Sequence, residues 1–290
     1  MGSLHSLRAV TPRRLGVMQG RLSERPGAAL QAFPRATWER EFSLAKSAGF
    51  DCIEWVLDSG PGSDNPLWSP AGRAEIRRVI AATGVVVSSI CADCFMTAPL
   101  AGADSARTEA SAAAMKTVIA AAAEVGARRI LVPLVEVSAL PTPALRASFV
   151  HSVRQCLAVA EAHQIVLALE MEVPGAEYAA FVASIGHPLV RACYDSGNSA
   201  AQGFDIGKDV VDVVPYLDAV HIKDRLVGGT SQPLGSGHAN FDGFFDALGR
   251  GGFQGDLILQ HYFAADPMFD ALRSLNFVKR GLARAAREVA

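Results

Sequence analysis

The chain has 290 residues, half of them hydrophobic, and a formal charge of −2. That content is ample for a large core, in one α/β barrel or in two smaller domains. Without a basic block beyond Arg13-Arg14 it lacks a broad face for nucleic acid, and no apolar run is long enough to span a bilayer. Residues 1–14 lack the apolar core of a secretory signal and read as a flexible tail ahead of one domain, 15–290, in a cytoplasmic protein.

In chain order, Leu15 to Gly20 reads as a short buried strand, followed by a Pro- and Gly-rich loop to Thr37 and a helix from Trp38 to Ala48. Cys52 to Leu57 is a second strand, followed by a helix over Ala71 to Ala82. Val85 to Ile90 is the third, with Asp93 just past its end and a helix from Ser105 to Val125 behind it. Arg129 to Val135 is the fourth. Pro133 removes a ladder donor there, which places it near the strand's end. A helix from Pro143 to His163, a strand from Ile165 to Leu169, and a helix from Ala176 to Ile185 come next. The sixth strand is Val190 to Tyr194, followed by a short helix near Gly207 to Val214. The seventh is Leu217 to Ile222. A Gly-rich loop, Val227 to Asn240, leads to a helix from Asp242 to Leu248, an eighth strand from Leu257 to Leu259, and a last helix from Asp266 to Arg287.

These strands are continuous apolar runs, as expected where both faces are covered, and helices separate them, so the sheet should be parallel. Eight such units in one chain predict a single-domain (β/α)₈ TIM barrel. A doubly wound open sheet is the alternative, but Gly16-Val17-Met18-Gln19-Gly20 does not match its dinucleotide fingerprint.

In such a barrel the strands' C-terminal ends share one rim, where the chemistry sits. That rim reads Gln19, Glu54, Asp93, Glu136, Glu170, Asp195, His221 and Gln260. Residues near loops are often polar, which accounts for some of this set. Around His221, however, a carboxylate ends each of the two preceding strands. An imidazole with hard oxygen donors suits Mn²⁺, Co²⁺ or Zn²⁺. His151 and His163 read as helix-surface residues, His187 as a turn residue on the opposite rim, and His261 as alternating away from Gln260. His238 lies in the loop after the seventh strand, which can fold over the mouth. The five cysteines read as free thiols. Cys91-Ala92-Asp93-Cys94 has redox spacing without the helix start that lowers a thiolate pKa.

At these residues the sequence resembles the sugar-phosphate isomerase/epimerase superfamily, the xylose-isomerase-like TIM barrels, and most of all its L-ribulose-5-phosphate 3-epimerase-like members. The resemblance is carried by Leu169-Glu170, Tyr194-Asp195-Ser196-Gly197-Asn198, Val220-His221-Ile222-Lys223-Asp224 and Leu234-Gly235-Ser236-Gly237, with Met18-Gln19-Gly20-Arg21 and Ile53-Glu54-Trp55 in support. It implies one divalent metal ion, Mn²⁺ first, with Zn²⁺, Co²⁺ and Mg²⁺ as alternatives, held by Glu170, Asp195, His221 and the residue ending the eighth strand. The family usually has Glu there and this chain has Gln260, which can offer a carbonyl oxygen to a metal but cannot carry a proton.

The expected chemistry is isomerisation or epimerisation of a small sugar or sugar phosphate, through proton removal next to a carbonyl. Glu170 is the expected base. Glu172, Lys223 or His238 is the expected replacement for the missing acid. Gln19, Glu54, Asp93, Glu136, Asn198 and Arg225 are expected to bind substrate, and Trp55, Trp68 and Phe95 are available to stack on it. For Lys223 and Arg225 the competing reading is a salt bridge to Asp224 or a neighbouring carboxylate. A lyase or dehydratase acting on a keto-sugar or keto-inositol, and a catalytically silent sugar-binding barrel, are the other functions open to this site. A homo-oligomer is implied by resemblance alone.

Overall fold

A computed structural model of the chain describes residues 13–24, 31–262, 264 and 266–289. Residues 1–12 of the expected tail, and 25–30 of the loop after the first strand, lie outside the described residues. Eight strands close into a barrel: β1 (Leu15–Met18), β2 (Cys52–Val56), β3 (Val86–Cys91), β4 (Arg129–Leu134), β5 (Val166–Met171), β6 (Val190–Asp195), β7 (Leu217–Ile222) and β8 (Asp256–Leu259). Each pairs in parallel with its sequence neighbours, and β8 closes on β1. The helices behind them are α1 (Trp38–Ala48), α2 (Pro70–Thr83), α3 (Ser105–Glu124), α4 (Pro143–His163), α5 (Gly175–Ile185), α6 (Ile206–Val213), α7 (Phe241–Arg250) and α8 (Pro267–Val289). The (β/α)₈ expectation is met. Among the described residues no helix is long and apolar enough to cross a membrane.

Local chemistry explains most boundaries. Ser69, Asp104, Thr142, Asp205 and Asn240 each accept a backbone N–H from the first turn of the helix that follows, satisfying a donor left free there. The sequence reading missed two one-turn helices, Cys94–Thr97 and Ser196–Ala201, which are too short for a periodic pattern. It also missed a small antiparallel ribbon that pairs Asp224–Arg225 with Ser231–Gln232.

Trp55 is fully buried between Phe33 and Trp38, with ring centroids 5.0 and 5.3 Å away, and its indole N–H donates to Asn65. Phe95 is buried, and the Trp68 indole donates to Ser59 O. Trp55 and Phe95 are held by packing, and Trp68 is half-buried.

The barrel interior is more polar than the strand sequences suggest. At the N-terminal end Arg129 of β4 reaches across the lumen to Asp218 on β7 at 2.6 Å and Asp256 on β8 at 2.8 Å, all buried. Asp218 is the extra residue where the β6–β7 register shifts. A second shift, between β2 and β3, skips Ser88 and brings Ser89 opposite Glu54. Bulges of this kind re-aim side chains next to functional sites. Both shifts here change a polar residue's aim. At the same end of the barrel, Arg13 and Arg14 bond to Phe253 O and Asp256.

Candidate active site

β5, β6 and β7 carry Glu170, Asp195 and His221 at their C-terminal ends, with Asp195 and His221 directly in register. One ligand atom from each lies within 4.8 Å of the others, and all three residues are buried. The local sequence fixes each donor.

Asp195 caps the Ser196–Ala201 turn. Its Oδ1 accepts from the Gly197 and Asn198 N–H groups, both at 2.8 Å, and this leaves Oδ2 over. Gly197 is required by close approach, since a Cβ there would fall 2.6 Å from Lys223 Cγ. His221 Nε2 faces Glu54 Oε1 at 2.6 Å across the lumen, and Ser89 donates to the other Glu54 oxygen at 2.7 Å. Beside a carboxylate, Nε2 carries a proton, so Nδ1 keeps a lone pair aimed at the cluster.

Buried polar atoms almost always find partners. Asp195 Oδ2, His221 Nδ1 and Gln260 Oε1 are buried without a hydrogen bond, and His221 Nδ1 stands 3.7 Å from Asp195 Oδ2. Free donors on Asp195 and His221, with Glu170 within the same 4.8 Å cluster, are what a divalent cation requires. The residues present therefore fit a resident metal ion.

The electrostatics agree. Burial pushes the Glu170 carboxyl well above its ordinary pKa, and Asp195 and Asp93 add to the effect. Burial also opposes ionisation of Asp195, but Lys223, His221 and the Asn198 N–H outweigh it and hold that carboxyl low. Burial would depress His221, yet Cys193, Glu54 and Asp195 raise its pKa well above the usual imidazole value.

Asn198 joins the triad to two cations. Its amide donates to Glu170 Oε1 at 3.0 Å, and its oxygen accepts from Lys223 Nζ at 3.1 Å and from Arg225 Nη1 at 2.9 Å. Lys223 Nζ is 3.8 Å from Asp195 Oδ2, while Arg225 also bonds Gly229 O. The Asp224 carboxylate points the other way and accepts from the Gly235, Gly237 and Ala239 N–H groups. It anchors the loop, and a Cβ on Gly237 would come within 2.2 Å of Asp224 Oδ1.

A second network crosses the mouth. Gln260 Nε2 donates to Gln31 Oε1 at 2.5 Å, and Gln31 Nε2 donates to Asp93 Oδ2 at 2.5 Å. The Cys91 thiol donates to Asp93 Oδ1 at 3.1 Å. The Cys91–Cys94 pair is free and buried, and burial raises both thiols, opposite to what a redox pair needs.

Several expected site residues have other partners or positions. Glu54 lies inside the barrel with no exposure and both oxygens taken, so it supports His221 instead of meeting a substrate. Glu136 is exposed, opens the Glu136–Ser138 turn at φ 49°, and joins neither network. His238, a candidate for proton transfer, is exposed, and its Nδ1 accepts from the Val227 N–H, which occupies the lone pair a base would use. Gln19 accepts from the Val56 N–H through Oε1 and keeps Nε2 buried without a partner.

Gln31 and Ser89 were not singled out by the sequence. Gln31 sits mid-loop with no strand-end signal, and Ser89 is aligned only by the register shift. His261 is fully buried with both ring nitrogens unpartnered, and burial, with Arg21 nearby, pushes its pKa down to about 3.

A family model for the xylose isomerase-like TIM barrel matches residues 42–280. The L-ribulose-5-phosphate 3-epimerase UlaE of Salmonella typhi is 27% identical over 258 residues, covering 86% of this chain and 91% of its own length. The structure of an L-ribulose 3-epimerase superposes with a TM-score of 0.75 at 21% identity, over 96% of this chain and 97% of that one. A D-psicose 3-epimerase from Clostridium cellulolyticum H10, solved with D-tagatose, gives 0.74 at 16% identity, over 93% and 99%. At these identities the structural likeness speaks for the fold.

Proposed function

Since this chain belongs to the xylose isomerase-like TIM barrel family, we propose that it is a divalent-metal-dependent epimerase or isomerase of a small ketose or ketose phosphate. The observation that carries this reading is the buried Glu170, Asp195 and His221 cluster with its unpartnered Oδ2 and Nδ1. UlaE of Salmonella typhi, a relative over most of the chain, bears the name of an epimerase of this substrate class. Glu170, Asp195, His221 and Gln260 would hold the metal, with Mn²⁺ the first choice for a set of hard oxygens and one imidazole. When bound, the ion supplies Lewis acidity at the substrate carbonyl.

The chain's own residues do the rest. Glu170 is the base that takes the proton from the carbon next to the carbonyl. Burial makes it a stronger base than an exposed glutamate, and the Asn198 amide fixes its direction. Lys223 and Arg225, gathered by Asn198, anchor an oxygen-rich end of the substrate. Glu54 and Ser89 keep the His221 ring from turning.

The test is solvent exchange. The chain is stripped with a chelator, reloaded with Mn²⁺, and incubated in heavy water with L-ribulose 5-phosphate, L-ribulose or D-psicose. NMR should show deuterium on the carbon next to the carbonyl, and Glu170→Gln should abolish it while the fold is retained. Sugar binding without exchange in the loaded protein would move the reading to a silent binding barrel, and release of water would move it to a dehydratase.

A further inference from the structure

An epimerase must remove a proton from one face of a carbon and deliver one to the other. Glu170 supplies one face, and the strand-eight residue that would supply the other is Gln260, which has no proton to give. Resting on the proposed function above, we infer that Asp93, at the end of β3 and tied to Gln260 through Gln31, is the second proton-transfer group.

The surrounding groups are excluded one by one. Glu54 has no exposure and is bound to the His221 ring, whereas Asp93 is only half-buried. Glu172 follows directly on Glu170's own strand, and the charges it feels are those of Asp195, Arg225 and Glu136. Lys223 is held on the β6–β7 side by Asn198 and Asp195. His238 is exposed and bonded to its own loop.

Asp93 meets the requirements. It comes from a different strand end, and its charge is felt at Glu170. Gln31 and Cys91 aim its two oxygens. Burial outweighs those two hydrogen bonds and raises its pKa, as it does that of Glu170. The Gln260–Gln31–Asp93 relay runs from the vacant acid's position to the carboxyl that takes over its task.

The step balances. The Glu170 carboxylate takes the C–H proton and the carbon's electron pair moves into the enediolate. The Asp93 carboxylic acid then gives its proton to the opposite face as the C=O re-forms. One carboxyl ends protonated and the other ionised, the reverse of the start, and exchange with water or the back reaction resets them.

The experiment compares the two epimers of one ketose with Mn²⁺-loaded wild type and Asp93→Asn in heavy water. In the variant, epimer formation should fall at least about 100-fold, the scale of one general acid. Exchange should persist in the epimer whose C–H faces Glu170 and vanish in the other. Metal content and melting temperature should stay unchanged, and formate should restore turnover to Asp93→Ala, which a structural role would not allow. Epimer formation or two-sided exchange unchanged in Asp93→Asn overturns the assignment to Asp93 alone. Absence of exchange in loaded wild type with L-ribulose 5-phosphate, L-ribulose and D-psicose refutes the epimerase reading itself, and this inference with it.

Discussion

Replacing Glu54 is the sharpest test of how the barrel interior builds the metal centre. Glu54 makes a 2.6 Å contact with His221 Nε2, and its pKa is held low: burial opposes the charge, but His221 and Ser89 outweigh it. A hydrogen bond to a charged group is worth about 1.5–3 kcal/mol and a neutral one about 0.5–1.5. Glu54→Gln keeps the shape and a neutral bond, so the loss is about 1–1.5 kcal/mol, or roughly tenfold in Mn²⁺ affinity. Glu54→Leu removes the bond and frees the ring to adopt either tautomer, and the loss should approach about 100-fold, the upper range for residues that orient a ligand. Titration calorimetry, or competition with a fluorescent chelator, reads both values without a substrate. Affinities within about threefold of wild type for both variants would refute the claim that Glu54 orients the ligand, and equal losses in the two would refute the division between charge and shape.

Three further outcomes follow from the same geometry. Asn198→Ala releases Glu170, Lys223 and Arg225 together, and steady-state kinetics should show both a higher KM and a kcat lowered about tenfold or more. Arg129→Met leaves Asp218 and Asp256 buried without their cation, and urea denaturation should show a loss of about 3–5 kcal/mol with Mn²⁺ affinity unchanged, because the cluster lies at the opposite end of the barrel. Asp224→Ala removes a buried carboxylate that accepts three backbone N–H bonds, which should loosen the 226–240 loop by about 3 kcal/mol and expose it to limited proteolysis while the barrel stays folded.

The sequence by itself determined the barrel. Eight apolar runs separated by helical segments leave few other ways to cover both faces of a parallel sheet, and the one-turn helices after β3 and β6 escaped because four to six residues carry no period. It also marked Glu170, Asp195 and His221, because a polar residue ending an apolar strand stands out against its own neighbours. It could not tell which strand-end residues face one another. Glu54 looked like another rim position, yet a register shift and a span across the lumen make it the partner of His221. Arg129, Asp218 and Asp256 read as residues of a strand or its edge, while the closed barrel brings opposite strands together into one buried ionic cluster. Gln31 gave no signal because it lies in a loop, where position follows from the chain's path and not from periodicity. Spacing along the sequence fixes which strand end a side chain occupies. Barrel closure, strand register and loop path fix what it touches, and those are set by contacts between residues far apart in the chain.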